Sequence, residues 1–304
     1  MNQSIYIASA LSSDKSSQGK TYGQQVYQQL KEKLNGQLRE IQHHKKNPWC
    51  RDYLPVRNAA GQLVQFKYAP GYMTDTKKWR ERIPDAKALH KELGLTEDQV
   101  TYSDIILDGG NVELHGSKAI VSDRVFRDNR QNHDYKNELD LLKALKDTLA
   151  VDQLIIVPQY PFDFTGHVDG LVRFIDAGRV LINDLQPELE QAHKLIREKK
   201  NSAKGRQIEA WYFAFLMALR NAGLQWDTLP YTATENSSDK DAAGIYLNFL
   251  QLQDRILMPA FGQKEDNVAA EKLKELYKKD IVRIEASELA AEGGIINCIS
   301  WTRN

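Results

Sequence analysis

A mixed α/β (α+β) fold is predicted by two features of the sequence. Short runs rich in β-branched residues alternate with helical stretches along the whole chain, in a strand, strand, helix, strand rhythm. No low-complexity linker or shift in composition interrupts that rhythm, so residues 1–304 are expected to form a single domain.

The elements follow in order. Ser4–Ala8 reads as a strand. In Gln24–Leu34, Val26, Leu30 and Leu34 recur at helical spacing, and Asn35-Gly36 supplies a stop. Gln62–Tyr68 alternates after the Ala60-Gly61 turn. Asp75–Leu93 is charged and helical in tendency, with a break at Pro84. Ser103–Leu107 is a strand running into Gly109-Gly110, and Lys118–Ser122 is another. Asn137–Leu149 is a helix with Leu139, Leu142 and Leu145 as its expected apolar face, and Gln153–Val157 is a buried strand. Gly166–Ile175 and Val180–Asn183 form a hairpin around Asp176–Arg179. Pro187–Lys200 and Arg206–Ala222 are helices separated by a polar break. Gly244–Leu252 and Arg255–Met258 pair as strands, Asp266–Lys279 is an amphipathic helix with Val268, Leu273 and Leu276 on one side, and Ile281–Ile284 is a strand. Gly293-Gly294 opens a last strand, Ile295–Trp301.

Composition narrows the class. Apolar residues make up 41% and charged residues 27%, as in a globular protein with a packed core. The 41 basic and 41 acidic residues cancel, which argues against a nucleic-acid partner. No apolar stretch is long enough to span a bilayer, so no membrane partner is expected. Ile5–Leu11 lacks the basic lead of a signal peptide, so Cys50 and Cys298 are expected to be reduced thiols in a cytoplasmic protein. A homo-oligomer is left open.

Four segments could carry chemistry. Cys298 follows paired glycines, which let a backbone approach a ligand closely; a buried packing thiol is the competing reading. His167 and Asp169, one residue apart on a strand, would share a face; a solvated strand end is the alternative. Trp49-Cys50-Arg51-Asp52 offers a carboxylate able to grip a guanidinium with two hydrogen bonds, against a surface Arg51–Asp52 pair. Cys50 reads as a small packing residue. Asp108-Gly109-Gly110-Asn111-Val112-Glu113 is either a tight turn or a source of inward carboxylates, and an inward Glu113 needs a partner. A thiol in a pocket rich in carboxylates selects a cationic, planar group, of which guanidinium is the clearest example. Gly19-Lys20-Thr21 imitates a phosphate loop, but Asp14 stands where the first glycine belongs. Adjacent His43-His44 cannot face one way in regular structure, and cysteine pairs at zinc spacing are absent, so no metal is expected.

Taken together, the segments W-x-R-D at 49–52, D-G-G-N-x-E at 108–113, G-H-x-D-x-x-x-R-F at 166–174, Tyr246-Leu247-Asn248-Phe249 and the glycine-led cysteine at 293–298 resemble the agmatine deiminase and bacterial-type peptidylarginine deiminase family. They occur in family order from about residue 47 to the end. The resemblance implies a pentein: a five-fold pseudo-symmetric α/β propeller of ββαβ modules around a central site. It implies Cys298 as nucleophile and His167 as general acid/base, with Asp52 and Asp169 holding the guanidinium. Glu113 is the residue expected to orient His167, with Asp108 the alternative. Trp49, Asp108, Asn111 and Asn248 complete the expected substrate pocket. The chain departs from the family in having Asn297 where histidine is usual, a glycine run interrupted by Glu292 and Ile295, and no recognisable family N-terminal segment in residues 1–46.

The implied activity is hydrolysis of a guanidino group to a ureido group with loss of ammonia, through a covalent thiouronium and without a metal or organic cofactor. Agmatine or a related amine-tailed guanidine is the first expected substrate, ahead of peptidyl arginine and free arginine. Amidino transfer and a catalytically silent binding protein are the alternatives. An intact Cys/His/two-Asp set is more than a binder needs.

Overall fold

The computed structural model describes residues 3–303 apart from 17, 18, 35, 43–45, 75, 133 and 233–240. The His43-His44 pair and Asn35 lie outside the described residues. Five three-stranded sheets share one plan. The strands are β1 (Ser4–Ala8), β2 (Leu38–Ile41), β3 (Val56–Arg57), β4 (Leu63–Lys67), β5 (Val100–Ile106), β6 (Glu113–His115), β7 (Lys118–Ser122) and β8 (Gln153–Val157). They continue with β9 (Val172–Phe174), β10 (Arg179–Asn183), β11 (Gln225–Leu229), β12 (Leu250–Gln251), β13 (Arg255–Ala260), β14 (Asp280–Glu285) and β15 (Trp301–Arg303).

In every sheet the middle strand runs antiparallel to the first and parallel to the third. In the four continuous modules a hairpin makes the antiparallel pair, and in all five a crossover containing helix makes the parallel one. Four modules are continuous: β3-β4-β5, β6-β7-β8, β9-β10-β11 and β12-β13-β14. The fifth is assembled from both ends of the chain, with β15 antiparallel to β1 and β1 parallel to β2.

Contacts link each module to the next and close the ring. Trp301 Nε1 donates to Pro55 O at 2.7 Å, and Ala59 N donates to Leu149 O at 3.0 Å. Phe174 N donates to Glu113 Oε1 at 3.1 Å, and Tyr277 Oη donates to Phe174 O at 3.0 Å. The helix Gln24–Lys33 packs on β14, where Gln29 bonds the backbone of Glu285 in both directions. This arrangement matches the expected module plan. Its repetition is topological: the five modules share strand order without an evident sequence repeat.

The helices cover the sheets with the faces their sequences allow. Glu138–Leu149 buries Leu141, Leu145 and Leu149, while Leu139 is 76% exposed, so the apolar face lies beside the one expected. Val268 is likewise exposed, and Ala269, Ala270 and Leu273 face the core. The polar break at residue 201 is a left-handed Asn201, from which the helix Ser202–Asn221 starts earlier than expected. Gly205 is required there because a Cβ would stand 2.6 Å from Ala192 O on the preceding helix.

Candidate active site

Each module sends one loop to the centre, and each loop comes just before the module's first strand. Trp49–Asp52 precedes β3, Asp108–Asn111 precedes β6, His167–Asp169 precedes β9, Asn248 precedes β12 and Cys298 precedes β15. The three segments expected as strands are therefore shorter. His167 lies in irregular backbone and Asp169 in the turn that follows it, because Gly166 takes a left-handed φ of 68° and Asp169 N bonds Gly110 O at 3.1 Å. Cys298 also lies in a turn. The Asn297 N–H is shared between Asn248 Oδ1 and Asn248 O, both at 3.1 Å, and the Cys298 N–H goes to Asn248 Oδ1 at 3.4 Å.

His167 is gripped at both ring nitrogens. Nε2 is 2.9 Å from Asp108 Oδ2, and Nδ1 is 3.6 Å from Asp52 Oδ1. Asp108 Oδ2 also accepts from Tyr72 Oη at 2.7 Å. The place expected of Glu113 is thus held by Asp108. Glu113 lies on β6 with its carboxylate on Arg173, Nε to Oε2 at 3.1 Å, and on the Phe174 amide. The strand's pleat sends it towards β9, away from the imidazole. Asn111 is also displaced from its expected role: it is buried, accepts from Ser122 N at 3.0 Å and does not line the cavity.

The sulfur of Cys298 has Asn248 Nδ2 at 3.2 Å and Asp169 Oδ2 at 3.7 Å. Asn297 Nδ2 donates to the same Asp169 oxygen at 2.8 Å. Gly110 must be glycine, since a Cβ would stand 2.7 Å from both Asp52 Oδ1 and His167 Nδ1. Gly294 gives way to the Trp49 ring, 2.5 Å from its would-be Cβ. Trp49 stacks on Tyr22 at 6.4 Å between centroids. Cys50 is fully buried, with its thiol on Ile299 O at 3.0 Å, as a packing residue should be.

These groups open on a cavity of about 220 Å³. Among the described residues its walls carry Asp14, Asp52, Asp163, Asp169, Glu188, Asp241 and Glu292 against Lys15, Arg82 and the His167 imidazole. Arg82 is ion-paired with Asp14 at 2.6 Å. The would-be phosphate loop therefore begins with an acid that serves as an arginine's counter-charge. Tyr160, Phe162, Phe164, Trp211 and Tyr231 line the outer part, where Tyr160 Oη donates to Glu188.

Burial and charge set the protonation states. Burial pushes the Cys298 thiol well above its ordinary value, and the charges of Asp169 and Asp52 push it further. Burial also raises the Asp52 carboxyl, opposed by His167 and reinforced by Asp108 and Asp169. For His167, burial favours the neutral ring, but the Asp52 charge and the bond and charge of Asp108 outweigh it and hold the imidazolium. These shifts favour a thiol beside a cationic histidine.

Three residues with a part in this geometry were not given a role from sequence. Tyr72 sits on a short helix, Gly71–Thr74, with no pattern to mark it. Arg173 belongs to the G-H-x-D-x-x-x-R-F motif, and Asn297 is a departure from the family pattern. No group of three or more His, Cys, Asp or Glu able to hold a metal occurs among the described residues, and no described helix is long and apolar enough to cross a membrane.

The whole arrangement can be set beside known proteins. Putative agmatine deiminase 1 of Listeria monocytogenes is 23% identical over 296 residues, covering 88% of this chain and 78% of that protein. The agmatine deiminase of Stutzerimonas stutzeri is 27% identical over 216 residues, covering 67% of this chain and 59% of that protein. Among solved structures, a substrate-bound cysteine-to-serine variant of C. jejuni agmatine deiminase superposes with a TM-score of 0.70 at 17% identity, covering 99% of this chain and 93% of that one. A Pseudomonas aeruginosa dimethylarginine dimethylaminohydrolase with citrulline gives 0.58 at 10% identity, with complete coverage of both. These likenesses carry the pentein fold. A family model described as Porphyromonas-type peptidyl-arginine deiminase matches residues 5–303, from the first strand through the last. With five module loops meeting at Cys298 and His167, and a match running the length of the ring, the chain belongs to that family.

Proposed function

We propose that the protein is a deiminase that hydrolyses the guanidino group of an amine-tailed substrate, agmatine or a near relative. The observation that carries this reading is the thiol of Cys298 set against Asp169 at 3.7 Å, in a cavity with a large excess of carboxylates. Such a wall attracts a substrate that is cationic at both ends. Free arginine would bring a carboxylate into the same field, where Arg82 is already committed to Asp14.

Asp52 and Asp169 fix the plane of the guanidinium and aim its carbon at the sulfur. The arriving cation offsets the two carboxylates that hold the thiol protonated, so substrate binding itself promotes thiolate formation. The thiol releases its proton to solvent as the guanidinium binds, and sulfur attack gives a neutral tetrahedral adduct. His167⁺, oriented by Asp108, protonates the departing nitrogen, and ammonia leaves a thiouronium on Cys298. The neutral His167 then takes a proton from water, which attacks the same carbon. The C–S bond breaks, and the ureido product and the free thiol are released. One guanidine and one water give one urea and one ammonia.

The test is a side-by-side assay of ureido product and ammonia on agmatine, a peptidyl arginine and free arginine. The expected order of kcat/KM is the order just given. A larger value for peptidyl arginine would replace the substrate and keep the chemistry. Absence of ureido product from all three, in folded protein, would defeat the reading.

A further inference from the structure

We propose that Tyr72 is a positioning residue of the acid/base pair: its hydroxyl shares one oxygen of Asp108 with His167, and so sets how readily the imidazolium gives up its proton. The consequence for catalysis rests on the deiminase reading, in which His167 is the acid/base.

Two donors meet at a single carboxylate oxygen. His167 Nε2 lies 2.9 Å from Asp108 Oδ2, and Tyr72 Oη donates to the same atom at 2.7 Å. The other oxygen, Oδ1, is buried and has no hydrogen-bond partner among the described residues. Tyr72 and His167 therefore divide one oxygen between them. A hydroxyl bonded to a carboxylate stabilises the anion. Once His167 loses its proton, the charge of Asp108 is no longer answered by the imidazolium. The Tyr72 hydroxyl lowers the cost of that state, which makes His167⁺ a better acid towards a departing nitrogen.

The surroundings hold Tyr72 in place. It lies on the short helix Gly71–Thr74, and its ring meets Phe164 edge-on at 5.5 Å and His167 at 6.4 Å between centroids. The Arg124 guanidinium stands 5.5 Å from the Tyr72 ring centroid. Arg124 is itself buried and fixed. Its Nε donates to both oxygens of Asp128 at 3.0 Å, and its Nη1 donates to Phe164 O at 3.0 Å. Asp128 also accepts from Gly71 N at 3.4 Å, at the start of the tyrosine's own helix. One ion pair thus braces both the helix that carries Tyr72 and the loop that carries Phe164. Burial, and then the charge of Asp108, push the Tyr72 phenol well above its ordinary value, so it stays a donor while His167 titrates.

Removing the hydroxyl alone leaves every neighbouring charge as it was. His167 faces Asp52 at Nδ1, Asp108 at Nε2 and the charge of Asp169. Tyr72 faces Asp108, Tyr68 and Asp52, with Arg124 over its ring and Asp128 paired to that arginine. Cys298 lines the same cavity. Tyr72→Phe changes none of these groups, so a moved titration reports the lost bond.

The experiment follows the ring nitrogens of His167 by NMR across pH in the full chain, the signal assigned by its absence from His167→Gln. It is run beside kcat for agmatine over the same range. In Tyr72→Phe the titration and the alkaline limb of kcat should both move up by about one pH unit. That direction is opposite to the one expected of Asp108→Asn, where the charge itself is lost. KM for agmatine should change less than kcat, since Tyr72 acts through Asp108. Replacing Tyr72 by a ring-fluorinated tyrosine, a stronger donor of nearly the same shape, should move the titration down. It serves alone should Tyr72→Phe fail to fold. A titration that stays in place, or moves the other way, in a folded variant overturns the proposal, even if stability falls. The deiminase reading is scored separately on the parent. No ureido product with a shifted titration would lose that reading and keep the control of His167 by Tyr72. Ureido product with an unmoved titration would do the reverse.

Discussion

Asp108→Asn distinguishes the two carboxylates of the glycine-rich turn. In the parent, Asp108 Oδ2 accepts from His167 Nε2 at 2.9 Å and from Tyr72 Oη at 2.7 Å. The variant keeps the shape and loses the charge. A hydrogen bond to a charged group contributes about 1.5–3 kcal/mol. At about 1.4 kcal/mol per tenfold, kcat should fall about 10- to 150-fold. KM for agmatine should change less, because Asp108 touches the histidine and not the guanidinium clamp. The pH profile supplies a second readout. His167 is held above its ordinary value against burial by the Asp52 charge and then by the bond and charge of Asp108. Without Asp108 the imidazolium pKa drops, so the alkaline limb of kcat, where His167⁺ is lost, moves to lower pH. The linked stability has the matching sign. A raised imidazole pKa stabilises the fold at pH values below the unfolded pKa, and this is lost as pH rises through the folded one. The variant's deficit from this source should therefore be seen in acid and fade in alkali. The assay is ureido product against pH, with thermal denaturation across the same range. An unchanged kcat and an unmoved limb would refute the assignment. So would Glu113→Gln producing that limb shift while Asp108→Asn does not.

Cys298→Ser should abolish turnover. Cys50→Ser should retain most of it at a stability cost of about 1 kcal/mol, since serine can donate to Ile299 O as the thiol does; equal loss from both, without unfolding, would remove Cys298 as nucleophile. Gly110→Ala places a Cβ 2.7 Å from Asp52 Oδ1 and His167 Nδ1 and should lower kcat on the order of a hundredfold by forcing them apart. A Gly110→Ala enzyme with parental kcat would mean that their spacing does not matter. Glu188→Gln removes a carboxylate from the aromatic part of the cavity while leaving an acceptor for Tyr160. It should raise KM for agmatine about tenfold, equivalent to ~1.4 kcal/mol, with a smaller effect on kcat; an unaltered KM would place the amine tail elsewhere.

Much of the ring is legible because many of its strands are short apolar, β-branched runs. β7 at Lys118–Ser122 and β8 at Gln153–Val157 fall where the pattern placed them. The third strand of the β9-β10-β11 module, Gln225–Leu229, carries no strand pattern because four of its five residues are at least partly exposed. The site segments were found by their motifs and given the wrong local structure. Apolar runs such as Ile295-Ile296 read as strand, but the side chain of Asn248 captures the backbone donors that a strand would need. The choice between Asp108 and Glu113 was open for a related reason. Both are buried carboxylates in one short segment, and only the turn at Gly109–Asn111 decides which faces His167. Tyr72 had no signal at all, since its role comes from a long-range contact with Asp108.

Asn297 shows how a departure from a family pattern can be read as charge. It donates to Asp169 Oδ2 at 2.8 Å, the oxygen that faces the sulfur at 3.7 Å. An amide orients that carboxylate without neutralising it. A histidine at the same place could become cationic and, once charged, would cancel part of the field that draws in a guanidinium. Asparagine keeps Asp169 a full counter-charge at every pH where it is ionised. The cost falls on the nucleophile, because Asp169 is also the leading charge that keeps the Cys298 thiol protonated. A clamp of undiminished charge and a reluctant thiol are therefore two results of one arrangement. In the proposed mechanism they are reconciled when the substrate's own cation enters between them, so that the chemistry is favoured only when a guanidinium is bound.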